Sequence, residues 1–269
     1  NLKDVFLEEF KLTPDYMLDI NGNFEEQLSK LSLQFGEVLD KEKPDKLLIL
    51  GDTNTALGAI VAKRKGIKIY HAEAGNRCYD PESPEEINRH IIDHISDVHF
   101  PYTERSADYL REEGIKSRDI FVVGNPMKEI LNGMEIENNL TDITLVTLHR
   151  QENVDNPERL KELIEIINSH DNVVFSCHPR TKEKLDKFGI KAHGVVEPMG
   201  FKEFITYLKN AKIVLTDSGT VPEECAILGT PCRILRKKTE RLELFESGNE
   251  NPYKITNFSE RILKCLDHV

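Results

Sequence analysis

The sequence predicts an α/β protein with two doubly wound sheets. Short apolar runs of strand length alternate with stretches of helical spacing in both halves of the chain. Alternating strands and helices of this kind assemble into parallel sheets covered by helices. The length of 269 residues exceeds the usual size of a single hydrophobic core, and 39% hydrophobic with 31% charged residues is typical of a soluble protein of two domains.

The first half opens with a strand, a helix and a second strand, followed by a longer amphipathic helix. In residues 86–98, Ile87, Ile91, Ile95 and Val98 recur at helical spacing, so we expect a buried isoleucine stripe. The opening strand, helix and second strand are predicted at 46–51, 55–65 and 68–71, and the last strand of this half is predicted at 121–123.

A polar segment at 132–142 separates the halves, and we place the interdomain linker there. The predicted domains are residues 1–133 and 140–269, with the last helix packing back on the first domain. The second half repeats the alternation. Its predicted strands are 144–148, 173–177, 195–196 and 213–216, and its predicted helices are 156–169, 181–188, 200–209 and one beginning near Val221.

Two acids come directly after predicted strands of the first half. Asp52 and Glu73 lie one or two residues past their strands, and parallel sheets bind ligands outside the carboxyl ends of their strands. We therefore expect both carboxylates in one crevice, in an arrangement suited to acid and base catalysis. The alternative is structural, because Asp52 could cap the helix near Thr53 and Glu73 could simply solvate a loop.

The segment 84–89 strengthens the catalytic interpretation. It supplies a third carboxylate, Glu85, and Arg89, while Arg77 lies a few residues earlier. Arginine is the side chain best suited to pairing with phosphates or carboxylates.

A phosphate site is predicted where the 213–216 strand ends. Ser218 and Gly219 precede a helix that carries Pro222 in its first turn, and free amides at such a helix start bind phosphate. Ser218 could instead be a hydrolase nucleophile, but Thr216 and Thr220 replace the glycines of that motif. We rank the phosphate site well above the nucleophile.

The chain resembles the non-hydrolysing UDP-N-acetylglucosamine 2-epimerases and their relatives that act on UDP-linked 2-acetamido-6-deoxy sugars. Six motifs, in matching order over most of the chain, carry the resemblance. They are Gly-Asp-Thr-Asn-Thr at 51–55, His-Ala-Glu-Ala-Gly-Asn-Arg at 71–77, Pro-Glu-Glu-Ile-Asn-Arg at 84–89, Thr-Leu-His-Arg-Gln-Glu-Asn at 147–153, Asp-Ser-Gly-Thr-Val-Pro-Glu-Glu at 217–224 and Thr-Glu-Arg at 239–241.

The resemblance implies two Rossmann-like domains facing a cleft, as in glycosyltransferases of the B type, and inversion at C2 of a UDP-sugar for surface polysaccharide precursors. UDP would be eliminated to give a glycal and then added back, with no cofactor. The implied catalytic residues are Asp52, Glu73, Glu85 and His149. The implied substrate-binding residues are Arg77, Arg89, Arg150, His178, Phe204, Ser218, Gly219, Glu224 and Arg241.

Four of these residues have structural alternatives. His149 could cap a helix rather than lie against the UDP phosphates, and His178 is a weaker candidate on the same rim. Phe204 could contact uracil, but its spacing with Ile205 is more typical of a core residue. Glu224 could hold the ribose diol or be a solvated helix acid.

The composition and the hydrophobic pattern of the sequence argue against several other classes of protein. A net charge of −11 gives no support for nucleic-acid binding, and no apolar stretch is long enough to span a membrane or to form a signal peptide, so we expect a cytoplasmic protein. The five scattered cysteines should be free thiols. His90 and His94 are spaced like metal ligands, but no third ligand is evident, and we expect no metal.

The sequence differs from the family pattern at several positions, and these differences concern the extent of the chain and the identity of its substrate. The chain begins at Asn1 without the family's first strand, residues 132–143 are shorter than expected, and Leu-Glu-Leu-Phe follows Arg241; we expect a trimmed chain. Asn76 stands where leucine is expected, and the Gly-Asn-Arg-Cys segment at 75–78 resembles the capsule-pathway members that make UDP-N-acetylfucosamine. Two rival functions stay open, a glycosyltransferase of the same architecture and a nucleotide-sugar-binding protein without turnover. A homodimer is expected from the family.

Overall fold

The computed structural model describes residues 7–138, 142–236, 240–246 and 251–268. The chain divides into two compact units, each built from separate segments. The first unit comprises residues 13–129, 240–246 and 252–269, and the second comprises 1–12, 130–239 and 247–251. Residues 139–141 of the predicted linker, Thr239 and the first six residues lie outside the described ranges.

The first part of the chain alternates helices with three strands. The elements in chain order are α1 (Phe24–Glu42), β1 (Lys46–Leu50), a 3-10 helix (Asn54–Leu57), α2 (Gly58–Arg64), β2 (Lys68–Ala72), α3 (Pro84–Ile95), β3 (Val98–Phe100), α4 (Glu104–Glu112), a 3-10 helix (Ser117–Asp119) and α5 (Pro126–Asn132). The predicted strands at 46–51 and 68–71 are confirmed. The predicted helix at 55–65 forms as a 3-10 turn followed by α2.

The remaining elements repeat the alternation. They are β4 (Ile143–Thr147), α6 (Gln151–Val154), α7 (Pro157–Asn168), β5 (Val173–Ser176), α8 (Pro179–Phe188), β6 (Val195–Val196), α9 (Phe201–Asn210), β7 (Ala211–Thr216), α10 (Val221–Leu228), β8 (Cys232–Ile234), α11 (Glu243–Glu246) and α12 (Phe258–His268). All the strands and helices predicted for the second half are present, with ends that differ by at most a few residues.

Local capping fixes several helix starts. Asn23 precedes α1 and forms a capping box with Glu26, each side chain bonding the other residue's backbone amide. Asn156 caps α7 by accepting a hydrogen bond from the amide of Arg159, and Pro157 occupies the first turn. These residues specify the boundaries because they satisfy amides that have no partner inside the helix.

The sheet of the first unit is parallel with the order β1, β2, β3. Its register pairs Leu50 with Ala72 and Ala72 with Phe100, so the three strands end at the same edge. Ile49, Ile69 and Ile92 form the core on one face. On the other face, Ile262 of α12 packs in a cluster with Tyr70, Val98, Phe100 and Val123.

Two predictions for this unit differ from the structure. The expected isoleucine stripe is buried only in part: Ile95 packs against the core, but Ile87 is 54% exposed, and the fully buried residues of α3 include Ile92 and Asp93. The segment 121–123 does not form a regular strand. It runs alongside the end of β3 instead, with the amide of Phe121 donating to the carbonyl of His99 at 2.9 Å.

The second unit contains a five-stranded parallel sheet with the order β6, β5, β4, β7, β8. The chain leaves β4 in one direction toward β5 and β6 and later returns to the other side of β4, so the strand order reverses between β4 and β7. Thr147 and Thr216 are paired at the ends of these two strands. Ligands of doubly wound sheets bind at such a reversal point.

Two further expectations concern membrane-spanning helices and the cysteines, and the described part of the chain addresses both. None of its helices combines the length and apolar character that crossing a membrane requires. The predicted free thiols are confirmed for the five cysteines, which are Cys78, Cys177, Cys225, Cys232 and Cys265.

Candidate active site

Asp52 and Glu73 lie at the carboxyl ends of β1 and β2 in the first unit. The backbone at this edge is unusual: Gly51 has φ +78° and Glu73 has φ +71°, a conformation that costs a non-glycine residue energy and is found preferentially at functional sites. Glu73 Oε2 lies 3.3 Å from the position that a Cβ on Gly51 would occupy. The two acids therefore adjoin, as the sequence predicted.

Each carboxylate has its own arginine. Arg89 Nε donates to Asp52 Oδ2 at 2.7 Å, and Arg241 Nη2 donates to Glu73 Oε1. Asn76 Nδ2 also donates to Glu73 Oε1, at 3.2 Å. Both arginine side chains are about as buried as core residues, with 5% and 4% exposed. Two neighbouring acids are thus held in fixed positions by buried cations.

The Asp52 carboxyl has a pKa above its ordinary value. Burial raises the pKa most, the charge of Arg89 opposes that effect, and the nearby charge of Glu73 adds to the rise. Burial therefore makes Asp52 easier to protonate than an exposed aspartate, even though Arg89 is bonded to it.

Glu85 and Glu86 differ in their surroundings. Glu86 is buried, accepts from the amides of Cys78 and Tyr79 and is paired with Arg89. Glu85 is half-buried at the start of α3 and accepts a hydrogen bond from Ser83. The structure does not place Glu85 in the arginine-linked pair of Asp52 and Glu73, so its predicted catalytic role stays a prediction.

Arg77 is fully buried beneath this edge of the sheet. Its guanidinium donates to both oxygens of Glu113, at 2.7 and 2.6 Å, and lies 2.8 Å from Asp93. It also donates to the carbonyl of Asn76. These bonds engage all three guanidinium nitrogens inside the protein, and this arrangement favours a structural role for Arg77 over substrate contact.

In the second unit, Asp217 organises the edge where the strand order reverses. Its fully buried carboxylate follows β7 and accepts from the amides of His149 at 3.0 Å and Arg150 at 2.9 Å, and from Asn153 Nδ2 at 3.0 Å. A buried carboxylate is stable only when it is bonded in this way. Asp217 therefore fixes the backbone that presents His149.

His149 and His178 follow β4 and β5 on the same edge. Their rings are 6.1 Å apart, and the His149 side chain is 36% exposed. Burial lowers the pKa of His149, and the charges of Arg150 and Arg236 contribute to the decrease, against the opposing effect of Asp217. The imidazole is therefore mainly neutral near pH 7, in surroundings that would attract an anion.

Ser218, Gly219 and Glu224 lie where the predicted phosphate site falls. The Ser218 hydroxyl is within hydrogen-bond distance of the amides of Thr220 and Val221, at 3.3 and 3.5 Å. Glu224, one turn into α10, is 6% exposed, and its Oε2 has no hydrogen-bond partner within the described ranges. Burial raises the pKa of Glu224 to about 7. A buried oxygen without a partner is a candidate ligand contact.

Phe204 lies on α9 and is partly buried. It packs against the cluster that contains Leu145, Leu208 and Val214. This favours the core alternative over contact with a base.

Sequence reasoning missed three residues that shape these edges. Asp93 and Asp217 are buried anchors, and their burial could not be read from charge alone. Arg236 follows β8, whose end pairs Ile234 with Thr216. The strand-end rule that selected Asp52 did not select Arg236, because β8 was not predicted from the sequence.

The chain is similar to known proteins of one family. The family model described as UDP-N-acetylglucosamine 2-epimerase matches residues 1–269. The UDP-N-acetylglucosamine 2-epimerase of Methanocaldococcus jannaschii is 42% identical, over 99% of this chain and 80% of its own length. The UDP-2,3-diacetamido-2,3-dideoxy-D-glucuronate 2-epimerase of Pseudomonas aeruginosa is 36% identical, over 92% of this chain and 75% of its own length.

Solved structures give the same result. The M. jannaschii enzyme in complex with UDP-GlcNAc and UDP superposes with a TM-score of 0.87 at 39% identity, covering 99% of this chain and 88% of that chain. The UDP-GlcNAc 2-epimerase of Neisseria meningitidis bound to UDP-GlcNAc has a TM-score of 0.86 at 27% identity, covering 100% of this chain and 89% of that one.

The chain belongs to the UDP-N-acetylglucosamine 2-epimerase family. The family assignment confirms the predicted resemblance and makes the protein an isomerase. The two parallel sheets and the similarity to the solved 2-epimerase structures confirm the predicted fold class.

Proposed function

We propose that this protein is a UDP-N-acetylglucosamine 2-epimerase, which inverts C2 of a UDP-linked 2-acetamido sugar and so supplies precursors for surface polysaccharides. The observation that carries the proposal is the adjoining pair of Asp52 and Glu73, each held by a buried arginine. An exchange of configuration at a carbon requires a group that removes a proton and a group that returns one.

The proposed reaction is an elimination followed by an addition. A base removes the proton at C2, the electron pair forms a C1–C2 double bond, and UDP leaves C1 with the bonding electrons. UDP then adds back at C1 while a proton is delivered to the opposite face of C2. The raised pKa of Asp52 suits it to donating a proton, and Glu73, bonded by Arg241 and Asn76, is suited to accepting one. General acid and base catalysis typically contributes 10²–10⁴-fold.

The second unit supplies the proposed UDP site. Ser218 and Gly219 precede α10, where amides and the helix dipole favour a diphosphate. His149 is positioned by Asp217 on the neighbouring strand end, and a neutral imidazole can donate a hydrogen bond to a phosphate oxygen or take up a proton from solvent as charge develops there. Glu224 has a buried oxygen suited to a ribose hydroxyl.

The sugar carried by UDP is the open part of the proposal. The P. aeruginosa relative is named for a different UDP-sugar, which supports the view that one reaction serves several sugars in this family. The alternative is therefore the same reaction on a UDP-2-acetamido-2,6-dideoxy sugar. The resemblance of the segment around Asn76 to the members that act on 6-deoxy sugars supports that alternative, and the Asn76 side chain lies in the site, bonded to Glu73.

Proton NMR in D₂O tests the proposal. The protein is incubated with UDP-N-acetylglucosamine, and the C2 proton and the manno isomer are followed. Loss of the C2 signal with growth of the manno signal is the expected result. Irreversible release of UDP would show a hydrolysing enzyme, and no change with either UDP-N-acetylglucosamine or the 6-deoxy sugar would contradict the proposal.

Two variants separate the rival functions. Asp52→Asn should abolish exchange at C2, whereas a glycosyltransferase should largely survive the change. The matched control is Asp40→Asn, on the exposed surface of α1, which should leave the rate unchanged. UDP binding without exchange in the unaltered protein would favour a binding protein.

We also propose a cytoplasmic homodimer. This location fits an enzyme acting on nucleotide sugars, and dimerisation is the family expectation. Light scattering on the purified protein tests the dimer: a monomer mass at micromolar concentration would exclude it.

A further inference from the structure

A second group of polar side chains lies on the exposed surface of α3. His90 and His94 are one helical turn apart, and both are exposed. Residues four apart on a helix have neighbouring side chains, and their ring centroids are 6.3 Å apart. The sequence offered no third metal ligand beside them.

The structure supplies that third ligand. Glu113, the residue that follows α4, approaches the two histidines, and its Oε2 lies 3.6 Å from His90 Nδ1. One ligand atom from each of the three residues lies within 4.8 Å of the others. Two ligands of a tetrahedral Zn²⁺ are about 3.4 Å apart when the bonds are about 2.1 Å long. The spacing of His90 and Glu113 is therefore close to that of a zinc site.

Two of the ligands are also oriented. His94 Nδ1 lies 2.9 Å from the carbonyl oxygen of His90, and since a carbonyl only accepts, Nδ1 carries the proton and Nε2 keeps its lone pair. Metal-binding histidines are commonly held by such a bond. The Glu113 carboxylate is fixed by two hydrogen bonds from Arg77. Each of its oxygens has two lone pairs, so one on each oxygen remains available for a metal.

We propose that His90, His94 and Glu113 bind one divalent first-row transition-metal ion, with Zn²⁺ as the representative, and that water completes its coordination. Two imidazoles with one carboxylate suit Zn²⁺, Ni²⁺ or Cu²⁺, whereas Mg²⁺ and Ca²⁺ prefer oxygen ligands alone. The ion would join the exposed side of α3 to the end of α4. Its role is structural, because none of these residues belongs to the Asp52 and Glu73 pair.

Calorimetric titration of the full-length protein with ZnCl₂ tests the site, with His94→Ala as the variant. His94 is exposed, so the change should leave the fold intact. The matched control is His193→Ala, an exposed histidine of the second unit. We expect one Zn²⁺ per chain, an affinity at least about tenfold weaker in His94→Ala, and no change in His193→Ala.

A second measurement identifies the ligands. Co²⁺ in place of Zn²⁺ should give the absorption of a site with nitrogen and oxygen ligands, without a thiolate charge-transfer band, and this spectrum should be lost in His90→Ala. Equal binding in His94→Ala, a thiolate band, or no binding to the unaltered protein at micromolar Zn²⁺ would each overturn the proposal. Saturating Zn²⁺ should also raise the unfolding temperature of the unaltered protein and not that of His94→Ala.

Discussion

His71 and Asp93 form a buried ion pair beneath the two loops that carry Asp52 and Glu73. His71 Nδ1 lies 2.7 Å from Asp93 Oδ1, and the side chains are 1% and 0% exposed. His71 Nε2 lies 3.0 Å from the carbonyl oxygen of Gly51, and the other oxygen of Asp93 accepts from the amide of Gly75. One pair therefore anchors the residue before Asp52 and the turn after Glu73.

Both members of the pair are charged, His71 as a cation and Asp93 as an anion. Each nitrogen of His71 faces an acceptor, so both nitrogens carry protons. Burial lowers the pKa of His71, but Asp93 more than reverses the effect and the net shift is upward. Burial likewise raises the pKa of Asp93, and the charges of His71 and Arg77 bring it far below its usual range. The contribution of a charged histidine to stability is present below its unfolded pKa and is lost as pH rises through the raised folded value.

Replacing Asp93 should destabilise the protein strongly. In Asp93→Asn, the buried His71 cation loses its anion and Arg77 keeps only Glu113, and breaking a buried pair typically costs about 3–5 kcal/mol. Urea titration at pH 7 measures the loss. The control is Asp108→Asn, an exposed acid paired with Arg111, which should cost less than about 1 kcal/mol. Similar losses in both variants would contradict the proposed anchoring role.

Gly75 should tolerate alanine much less well than Gly66 does. Both glycines have φ +79°, so the conformational cost of alanine is about equal. A Cβ on Gly75 would lie 2.2 Å from the carbonyl oxygen of Ser106, whereas one on Gly66 would meet no atom of the described residues within 4 Å. We expect Gly66→Ala to cost about 1–2 kcal/mol and Gly75→Ala a further 1–3 kcal/mol for the forced shift. Thermal unfolding of both variants decides the matter, and equal melting temperatures would refute the expectation.

The sequence predicted the parallel strands well because apolar runs bounded by turn residues leave few alternatives. It failed on α3, whose buried face carries Asn88, Arg89 and Asp93 beside Ile92. A hydrophobic pattern assigns such polar residues to solvent, and their burial depends on ion pairs with residues distant in the chain. The pairing of Asp52 with Arg89 spans 37 positions.

The candidate site was predictable only in part, for the same reason. Strand-end positions identified Asp52 and Glu73, and the helix start after β7 identified Ser218. The sequence could not show that Arg77 is enclosed by Asp93 and Glu113. Residue type indicates what a side chain can bind, but the partner it has in the fold depends on tertiary packing.

Arg89→Lys should lower the turnover rate with little effect on UDP affinity. Arg89 bonds Asp52 through Nε and Glu86 through Nη1, and a lysine ammonium cannot reproduce that fork. A small misplacement of a catalytic group can cost about 10²-fold in rate. Steady-state kinetics with UDP-N-acetylglucosamine and a UDP titration measure the two quantities. The control is Arg64→Lys, at the exposed end of α2. A large loss of UDP affinity with unchanged turnover would contradict the positioning role.

Glu224→Gln should change how stability depends on pH. Burial raises the folded pKa of Glu224 to about 7 from 4.5, so between these values the folded protein holds a proton that the unfolded chain releases. Stability therefore falls as pH rises through this window, by about 1.4 kcal/mol per unit. The loss is complete, on the order of 3 kcal/mol, once pH exceeds the folded value. Glutamine does not titrate, so the variant lacks this decline.

Urea titrations of both proteins from about pH 5 to pH 8 provide the test of the Glu224 prediction, because subtracting the variant removes the contributions of all other groups. The exposed acid Glu203 on α9 supplies the control: Glu203→Gln should follow the unaltered protein at every pH. Parallel curves for Glu224→Gln and the unaltered protein would show that Glu224 is ionised in the folded state near pH 5. In that case the partnerless oxygen must find a donor in solution, and the proposed ribose contact would lose its main support.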